Sequence, residues 1–276
     1  MAMGILGGDA VLKKAIVLAS FGVSDSVARK RCIESIVKVI QGAFCDYEVR
    51  QAYTSDFIRK RLSAQGIEVP SLPAVLDELQ EDGFDQVIIQ PTHLTAGEEY
   101  DNKIVAVVAG RKKDFLQLLL GRPIFMTDGS EGTPDDYSIA LKAILSSVGN
   151  VEKNEEIVLM GHGSPHRHNP VYEILQSRCD TKNLPVSIGV LEENDVPDFA
   201  AVRKRLKAKS CKSVLLVPLL VAGGMHVVKD MAGEASNSWK SRLQRSGFAV
   251  RIYVHGLGEN EAFRQIYVQH CKDVIK

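Results

Sequence analysis

Short apolar runs alternate with amphipathic segments along most of the chain. Lys14 to Ser20 (KAIVLAS) is apolar and stops near Gly22, and apolar residues then recur at three- and four-residue steps. This pattern predicts a buried strand followed by a helix that Ser24 caps. Further strand-like runs lie at residues 47–52, 86–90, 118–125, 156–160, 186–191, 213–218 and 249–254, and helical patterns lie at 54–65, 73–81, 134–147, 169–179, 198–207, 238–246 and 263–274. The alternation favours an α/β fold with mainly parallel sheets flanked by crossover helices.

The two halves of the chain resemble each other. Residues 16–22 (IVLASFG) can be laid over residues 157–163 (IVLMGHG), which puts Phe21 opposite His162. Strand-turn-helix units of any α/β chain look alike, so one such match carries little weight alone.

A second correspondence supports the repeat. The run VIIQP can be laid over VLLVP, and counting eight residues beyond their prolines gives Glu99 in one half and His226 in the other. We therefore predict two similar α/β lobes, residues 1–130 and 131–276, with the boundary near 128–135 and a cleft between them.

The composition is that of a globular protein with no global charge. Lys and Arg number 34, as do Asp and Glu, so no overall field would hold nucleic acid or an acidic membrane. No run approaches the roughly 20 apolar residues of a membrane helix. Five scattered cysteines form no C-x-x-C pair, and the first 12 residues lack a secretory pattern. We expect a cytoplasmic protein, or a periplasmic one if a leader has been removed, and homo-oligomers are common at this size.

Polar residues that suit a metal follow three predicted strands of the second half. Residues 161–169 (GHGSPHRHN) directly follow a strand and contain three of the seven histidines. The glycines on both sides of His162 leave its side chain projecting from a turn. Glu192 and His226 follow the next strands along the chain, and parallel strands end at one edge of a sheet. Two imidazoles and a carboxylate suit a divalent first-row metal better than magnesium or calcium, although a merely solvated polar loop is the alternative.

Several common catalytic motifs are missing from the sequence. There is no H-E-x-x-H helix, no G-x-S-x-G turn, no P-loop and no G-x-G-x-x-G. These absences argue against a zincin hydrolase, an α/β-hydrolase and a nucleotide-binding enzyme.

A set of motifs through the chain resembles one known family. The strings are IVLMGHGSPHRHNPVY, GVLEE, PLLVAGGMHVVKDMAGE, SWKSRL and GLGEN, with SFGVSDSVARK and QPTHLTAGEEY in the first half. They resemble the anaerobic sirohydrochlorin cobaltochelatases, class II chelatases that are related in fold to ferrochelatase, from about Lys14 onward. The resemblance implies a lyase that inserts Co²⁺ into sirohydrochlorin during anaerobic cobalamin synthesis, with sirohydrochlorin and the divalent metal as partners, without ATP and without a permanent cofactor.

The resemblance also implies roles for individual residues. The family's two metal-binding histidines fall on His162 and His226, and its strand-end glutamate falls on Glu192. Its acidic residue of the first lobe falls on Glu99, with Glu98 as the alternative one residue earlier. One histidine or a carboxylate, Glu99 or Glu192, would accept the pyrrole protons.

Further residues are candidates for contact with the substrate. Sirohydrochlorin carries many carboxylates, which need local cations or hydrogen-bond donors. The candidates are Ser20, Ser24, His93, His166 and Arg167, of which His93 lines the cleft or orients its loop, and Arg167 is equally well explained as a solvated surface residue. We assign His255 and His270 to structural positions.

Two features leave alternatives open. Gly223 to His226 departs from the family's more usual alanine-glycine-aspartate-histidine run and is one residue longer. Because two histidines and a carboxylate encode metal choice poorly, iron insertion for sirohaem and nickel insertion are rival activities. A non-catalytic carrier of metal or tetrapyrrole is the rival of a different class.

Overall fold

Two four-stranded parallel sheets form the framework of residues 12–164 and 170–275, which the computed structural model describes. The strands are β1 (Lys14–Ser20), β2 (Glu48–Tyr53), β3 (Gln86–Pro91), β4 (Gln117–Leu120), β5 (Glu155–Gly161), β6 (Val186–Val190), β7 (Ser213–Pro218) and β8 (Ala249–Ile252). The orders are β2-β1-β3-β4 and β6-β5-β7-β8, and all neighbouring strands are parallel. The predicted fold class is confirmed, and the identical strand order matches the repeat seen in the sequence.

Helices connect the strands and cover both faces of each sheet. The α-helices are α1 (Ser26–Ala28), α2 (Glu34–Ala43), α3 (Asp56–Ser63), α4 (Leu72–Glu81), α5 (Glu98–Tyr100), α6 (Ala106–Arg111), α7 (Asp136–Ser147), α8 (Val171–Thr181), α9 (Phe199–Ala208), α10 (Trp239–Arg245) and α11 (Glu261–Val274). π-Helical turns lie at Arg29–Ile33, Asp101–Val105 and His226–Met231. The last two occupy corresponding positions after the exits of β3 and β7.

The first helix begins differently from the prediction. The carboxylate of Asp25, and not the hydroxyl of Ser24, accepts the hydrogen bond from the Ala28 N–H at 2.7 Å. Asp25 has the extended backbone of an N-cap and lies immediately before the helix, so the predicted cap was wrong by one residue. β4 is also shorter than the predicted strand at 118–125.

The helical segment from α5 through α6 was not predicted. Its sequence contains several β-branched residues, which lower helix propensity. Tyr100, Ile104 and Val108 are nevertheless buried at four-residue spacing in the core of the first sheet. Packing of this face against the sheet therefore stabilises the helix where local propensity does not.

One hydrophobic core is shared by the two sheets. It contains Ile16 of β1 and Leu159 of β5, with α7 and α11 contributing residues such as Ile144 and Phe263. Although α11 follows the second sheet in sequence, it also reaches the first sheet, because the Tyr267 hydroxyl there donates to the carbonyl of Thr92 at 2.9 Å. The predicted boundary near 128–135 lies between β4 and α7, and the division into two domains at that point stays a prediction.

A buried ion-pair network joins the connection between the sheets to α11. The carboxylate of Asp136 is 1% exposed and accepts two hydrogen bonds from the Arg122 guanidinium at 2.9 and 3.1 Å. Arg122 also pairs with Asp273 at 2.6 Å, and His270 lies 3.5 Å from Asp136. Burial raises the pKa of Asp136, but hydrogen bonds from His270, Arg122 and Thr127 outweigh burial and hold that pKa well below its usual range. The structural assignment of His270 is confirmed.

Two general features of the described residues concern membrane helices and thiols. Among them, no helix combines the length and the apolar character that crossing a membrane requires. All five cysteines are free thiols.

Candidate metal-handling site

β5 carries His162 to the C-terminal edge of the second sheet. A Cβ at Gly161 would lie 2.4 Å from the Tyr172 ring, and Gly163 has φ +83°, so both flanking positions require glycine. The Gly163 N–H donates to the Tyr172 hydroxyl at 3.1 Å. This turn leaves the His162 side chain open to solvent at the strand exit, as the sequence predicts.

Backbone hydrogen bonds bring Glu192 beside His162. The carbonyl of His162 accepts from the N–H groups of Leu191 and Glu192 at 3.2 and 3.0 Å, which ties the exit of β5 to the exit of β6. As a result, Oε1 of Glu192 lies 3.6 Å from Nδ1 of His162. Two ligand atoms, each about 2.1 Å from a tetrahedral ion, lie about 3.4 Å apart. This separation suits two groups that share one metal ion.

The imidazole of His226 lies against that of His162. The ring centroids are 4.7 Å apart and the ring planes are nearly perpendicular, at 89°. His226 opens the π-helical turn after β7, and Val227 and Met231 anchor this turn in the core. The structure thus brings together His162 and His226, which are far apart in sequence.

Two glycines shape the unusual segment before His226. A Cβ at Gly223 would lie 2.9 Å from the carbonyl oxygen of Val254, so only glycine fits there. A Cβ at Gly224 would lie 3.5 Å from Val23 of the first sheet's β1 exit. The segment that departs from the family's usual run therefore lies where the two sheets meet, and it still directs His226 toward His162.

His226 has a carboxylate partner that sequence reasoning missed. Nδ1 of His226 lies 2.7 Å from Oδ2 of Asp230, one π-helical turn later. The signal for Asp230 was its spacing four residues after a histidine, which places both side chains on one side of a helical turn.

His162, Glu192 and His226 are not arranged as a complete metal coordination site. Within the ranges 12–164 and 170–275, no group of three or more His, Cys, Asp and Glu side chains is arranged to hold a metal ion. The structure pairs His162 with Glu192 and places the rings of His162 and His226 edge to face, and it leaves these side chains partly open to solvent.

Glu99 occupies the corresponding edge of the first sheet. It is the middle residue of α5, two residues before the π-helical turn Asp101–Val105 begins, whereas His226 is the first residue of the turn His226–Met231. Glu99 is half-buried, whereas Glu98 is exposed. Both residues thus lie close to a π-helical turn that follows a strand exit, and the role of Glu99 stays a prediction.

The residues predicted to contact substrate lie in different settings. Ser20 is buried, and its hydroxyl accepts a hydrogen bond from the Thr92 hydroxyl at 2.9 Å. This hydrogen bond joins the exits of β1 and β3, and the contact of Ser20 with substrate stays a prediction. Ser24 is half-buried beside the helix start, and its contact with substrate stays a prediction. His166 and Arg167 lie outside the described residues.

His93 follows β3, and its imidazole is buried. Both of its ring nitrogens are buried, and neither has a hydrogen-bond partner of normal geometry among the described residues. Burial lowers the pKa of His93 to about 4, although the nearby carbonyl of Ala19 acts in the opposite direction. The imidazole of His93 is therefore neutral near pH 7.

Replacing His93 with leucine should remove an acid-dependent loss of stability. Between pH 6.5 and about 4, the unfolded imidazole binds a proton that the buried ring does not, so the wild-type free energy of unfolding falls in this window. The contribution of this group is at most about 3 kcal/mol. Urea unfolding at several pH values from 7 to 4 measures the free energy of unfolding of both proteins. As the pH falls, this free energy should decrease less in His93→Leu than in wild type. A difference that is constant with pH would contradict a buried neutral ring.

Comparison with known proteins gives matches over nearly the whole chain. The model of the family described as cobalt chelatase (CbiK) matches residues 14–276. The sirohydrochlorin cobaltochelatase of Salmonella typhimurium is 29% identical over 265 residues, which cover 96% of this chain and 97% of that protein. The sirohydrochlorin cobaltochelatase CbiKC of Nitratidesulfovibrio vulgaris is 30% identical over 265 residues, covering 95% and 91%.

Solved structures of chelatases share the fold. SirB from Bacillus subtilis with Fe³⁺ superposes with a TM-score of 0.61 at 14% identity, covering 95% of this chain and 96% of SirB. The sirohydrochlorin chelatase SirB from Bacillus subtilis subspecies spizizenii, in complex with cobalt, gives a TM-score of 0.56 at 12% identity, covering 95% of each chain. At these identities the likeness concerns the fold alone, and it agrees with the two-sheet architecture.

Proposed function

The chain belongs to the cobalt chelatase (CbiK) family, and from this premise we propose that it inserts Co²⁺ into sirohydrochlorin through a site built on His162, Glu192 and His226. Two relatives named sirohydrochlorin cobaltochelatase, similar over nearly their whole lengths, support the reaction. The main observation that supports this site is the contact between the imidazoles of His162 and His226. Their ring centroids are 4.7 Å apart, where the two sheets meet.

Co²⁺ is a substrate in this proposal. Neutral imidazole nitrogens and a carboxylate oxygen bind a first-row ion firmly enough to capture it, yet they exchange for other nitrogen ligands. Nδ1 of His162 and Oε1 of Glu192, 3.6 Å apart, suit a shared ion, and His226 adds a nitrogen from the next strand exit. Because the side chains are partly exposed, coordination positions remain open to the macrocycle nitrogens.

The reaction exchanges two protons for one metal ion. Two pyrrole N–H groups lose their protons, two Co–N bonds form through the freed electron pairs, and nothing is oxidised or reduced. Following the family resemblance, we propose that the insertion proceeds without ATP and without a resident cofactor. Glu99 is a suitable proton acceptor, because its half-buried carboxylate makes no hydrogen bond or ion pair with any residue of the described chain. Glu192 or a histidine released from the metal is the alternative acceptor.

The macrocycle would lie between the two sheet edges. Large apolar side chains are exposed on the segments that follow β1 and β7, namely Phe21, Val27, Met225 and Val228. Exposed apolar groups of this size suit the face of a large ring. Backbone and side-chain donors near Ser24, together with His166 and Arg167, are proposed to meet the substrate carboxylates, and His93 keeps its loop in place beneath them.

Anaerobic incubation of the purified chain with sirohydrochlorin and Co²⁺ tests the proposed reaction. We expect the absorption spectrum of cobalt-sirohydrochlorin to appear with many product molecules formed per chain. Product that stops at one equivalent would identify a carrier, and no spectral change would refute the activity. Parallel initial rates with Fe²⁺ and Ni²⁺ decide metal preference, which the ligand set alone encodes poorly.

The cellular setting is proposed on other observations. All five cysteines are free, which suits a reducing compartment, and we place the enzyme in the cytoplasm on this ground. We also propose a homo-oligomer, as is common for enzymes of this size. Cell fractionation and light scattering of the purified chain test these two proposals.

A further inference from the structure

We propose that Asp230 is a positioning residue that holds His226 in the orientation and tautomer needed to bind the metal. The inference rests on the proposed function, in which His226 binds Co²⁺. Asp230 itself would not touch the ion. The observation is the 2.7 Å separation between Nδ1 of His226 and Oδ2 of Asp230.

The backbone of the π-helical turn fixes this pair. Val227 and Met231 are fully buried, and the N–H of Ala232 donates to the carbonyl of Val227 at 3.0 Å. Helical turns with this wider spacing often occur at functional sites. The buried residues anchor the turn, so His226 and Asp230 are presented together on its exposed side.

The hydrogen bond selects one form of the imidazole. When Nδ1 of His226 carries the proton and donates it to the Asp230 carboxylate, Nε2 keeps its lone pair for a metal ion. A carboxylate that accepts from the remote ring nitrogen orients the ring and makes the ligand more basic. Without Asp230, the ring of His226 would turn freely and divide its population between two tautomers.

The exposure of the His226 and Asp230 side chains argues against a purely structural role for this pair. Both partners are about half exposed, with side-chain exposures of 53% for His226 and 47% for Asp230. Exposed ion pairs contribute little to stability. Loss of Asp230 should therefore leave the fold intact, and a change in metal binding would have to come from the ring of His226.

The test compares Asp230→Ala and Asp230→Asn with the matched control Glu234→Gln. Glu234 lies four residues later, is exposed, and pairs with Lys240 instead of a histidine. Co²⁺ is titrated into each purified chain without tetrapyrrole and followed by calorimetry and visible absorption. We expect Asp230→Ala to weaken Co²⁺ binding about 10- to 100-fold. Asp230→Asn should be affected less, because its amide oxygen can still accept from Nδ1, and Glu234→Gln should bind like wild type.

Steady-state insertion gives a second readout. The KM for Co²⁺ should rise in Asp230→Ala, while the KM for sirohydrochlorin stays unchanged and high Co²⁺ restores most of the rate. At saturating Co²⁺, the absorption bands of the bound ion should keep their wild-type positions. Shifted bands would place Asp230 in the coordination sphere and overturn the positioning role.

The remaining outcomes distinguish the two proposals. Unchanged Co²⁺ affinity in both Asp230 variants overturns the inference, as does an equal loss in Glu234→Gln. If the wild-type chain fails to metallate sirohydrochlorin, the proposed function fails, but the Co²⁺ titration still decides whether Asp230 positions His226. Circular dichroism of each variant verifies folding, and Asp230→Asn, which conserves shape, serves if the alanine variant unfolds.

Discussion

Replacing either His162 or His226 with alanine should lower the rate of Co²⁺ insertion by at least about 1000-fold, which corresponds to about 4 kcal/mol of transition-state stabilisation. Each substitution removes one of the two proposed nitrogen ligands, whose ring centroids are 4.7 Å apart. The remaining imidazole would have to capture the ion and release it to the macrocycle alone. Initial rates by absorption spectroscopy, at saturating sirohydrochlorin and increasing Co²⁺, measure the loss.

The same variants should fold normally, and the chain offers a matched control. The side chains of His162, His226 and His255 are 41%, 53% and 44% exposed. Substitutions at such positions usually change stability by about 0.5 kcal/mol or less. His255 follows β8 at the same edge of the sheet, where its Nδ1 pairs with Glu259 at 2.9 Å.

His255→Ala should therefore retain insertion activity. A fully active double variant lacking both His162 and His226 would refute the proposed site while leaving the family assignment untouched. An equal loss in His255→Ala would mean that histidines at this edge act together and not as one specific pair.

Replacing Asp136 with alanine should lower the free energy of unfolding by about 3–5 kcal/mol, because it leaves the partly buried guanidinium of Arg122 without its main partner. Asp136 accepts two hydrogen bonds from Arg122 and two more from Thr127, and it lies beside His270. Denaturant unfolding measures the loss. Asp273→Asn, which removes the more exposed partner of the same arginine, is the matched control and should cost less.

The Asp136 network should also make the protein sensitive to acid. The pKa of the Asp136 carboxyl is lowered in the folded state, so its stabilising contribution is present above the pKa of the unfolded chain. That contribution is lost as the pH falls through the range between the two pKa values. The stability gap between wild type and Asp136→Ala should narrow below about pH 4. A gap of constant size would show that the carboxylate is not held in its charged form.

Strands were the most predictable part of the fold. A parallel strand that is buried on both faces is a continuous apolar run, which is visible in the sequence without knowledge of its neighbours. β7 has the predicted bounds of 213–218, and β1 has those of 14–20. The helical segment 98–111 escaped prediction because its β-branched residues disfavour a helix locally, and the burial of Ile104 against the first sheet outweighs that preference.

The candidate site was predictable to the level of strand ends. In a parallel sheet the C-terminal ends share one edge, so His162, Glu192 and His226 could be expected together from their order along the chain. Their distances could not be expected, because the ties between strand exits come from backbone hydrogen bonds such as that from Glu192 to His162. The partnership of Asp230 with His226 likewise depends on the π-helical turn.

Periodicity and motif order in this chain were sufficient to predict the fold class, the duplicated sheet and the family. Each of these features depends on a short stretch of consecutive residues or on the order of such stretches along the chain. Burial and partners are different, since they arise where distant segments pack. Ser20 meets Thr92 across 72 residues, and Arg122 meets Asp273 across 151. Whether a polar side chain faces a ligand or supports the core therefore depends on which distant segment packs against it, and that became visible only in the folded chain.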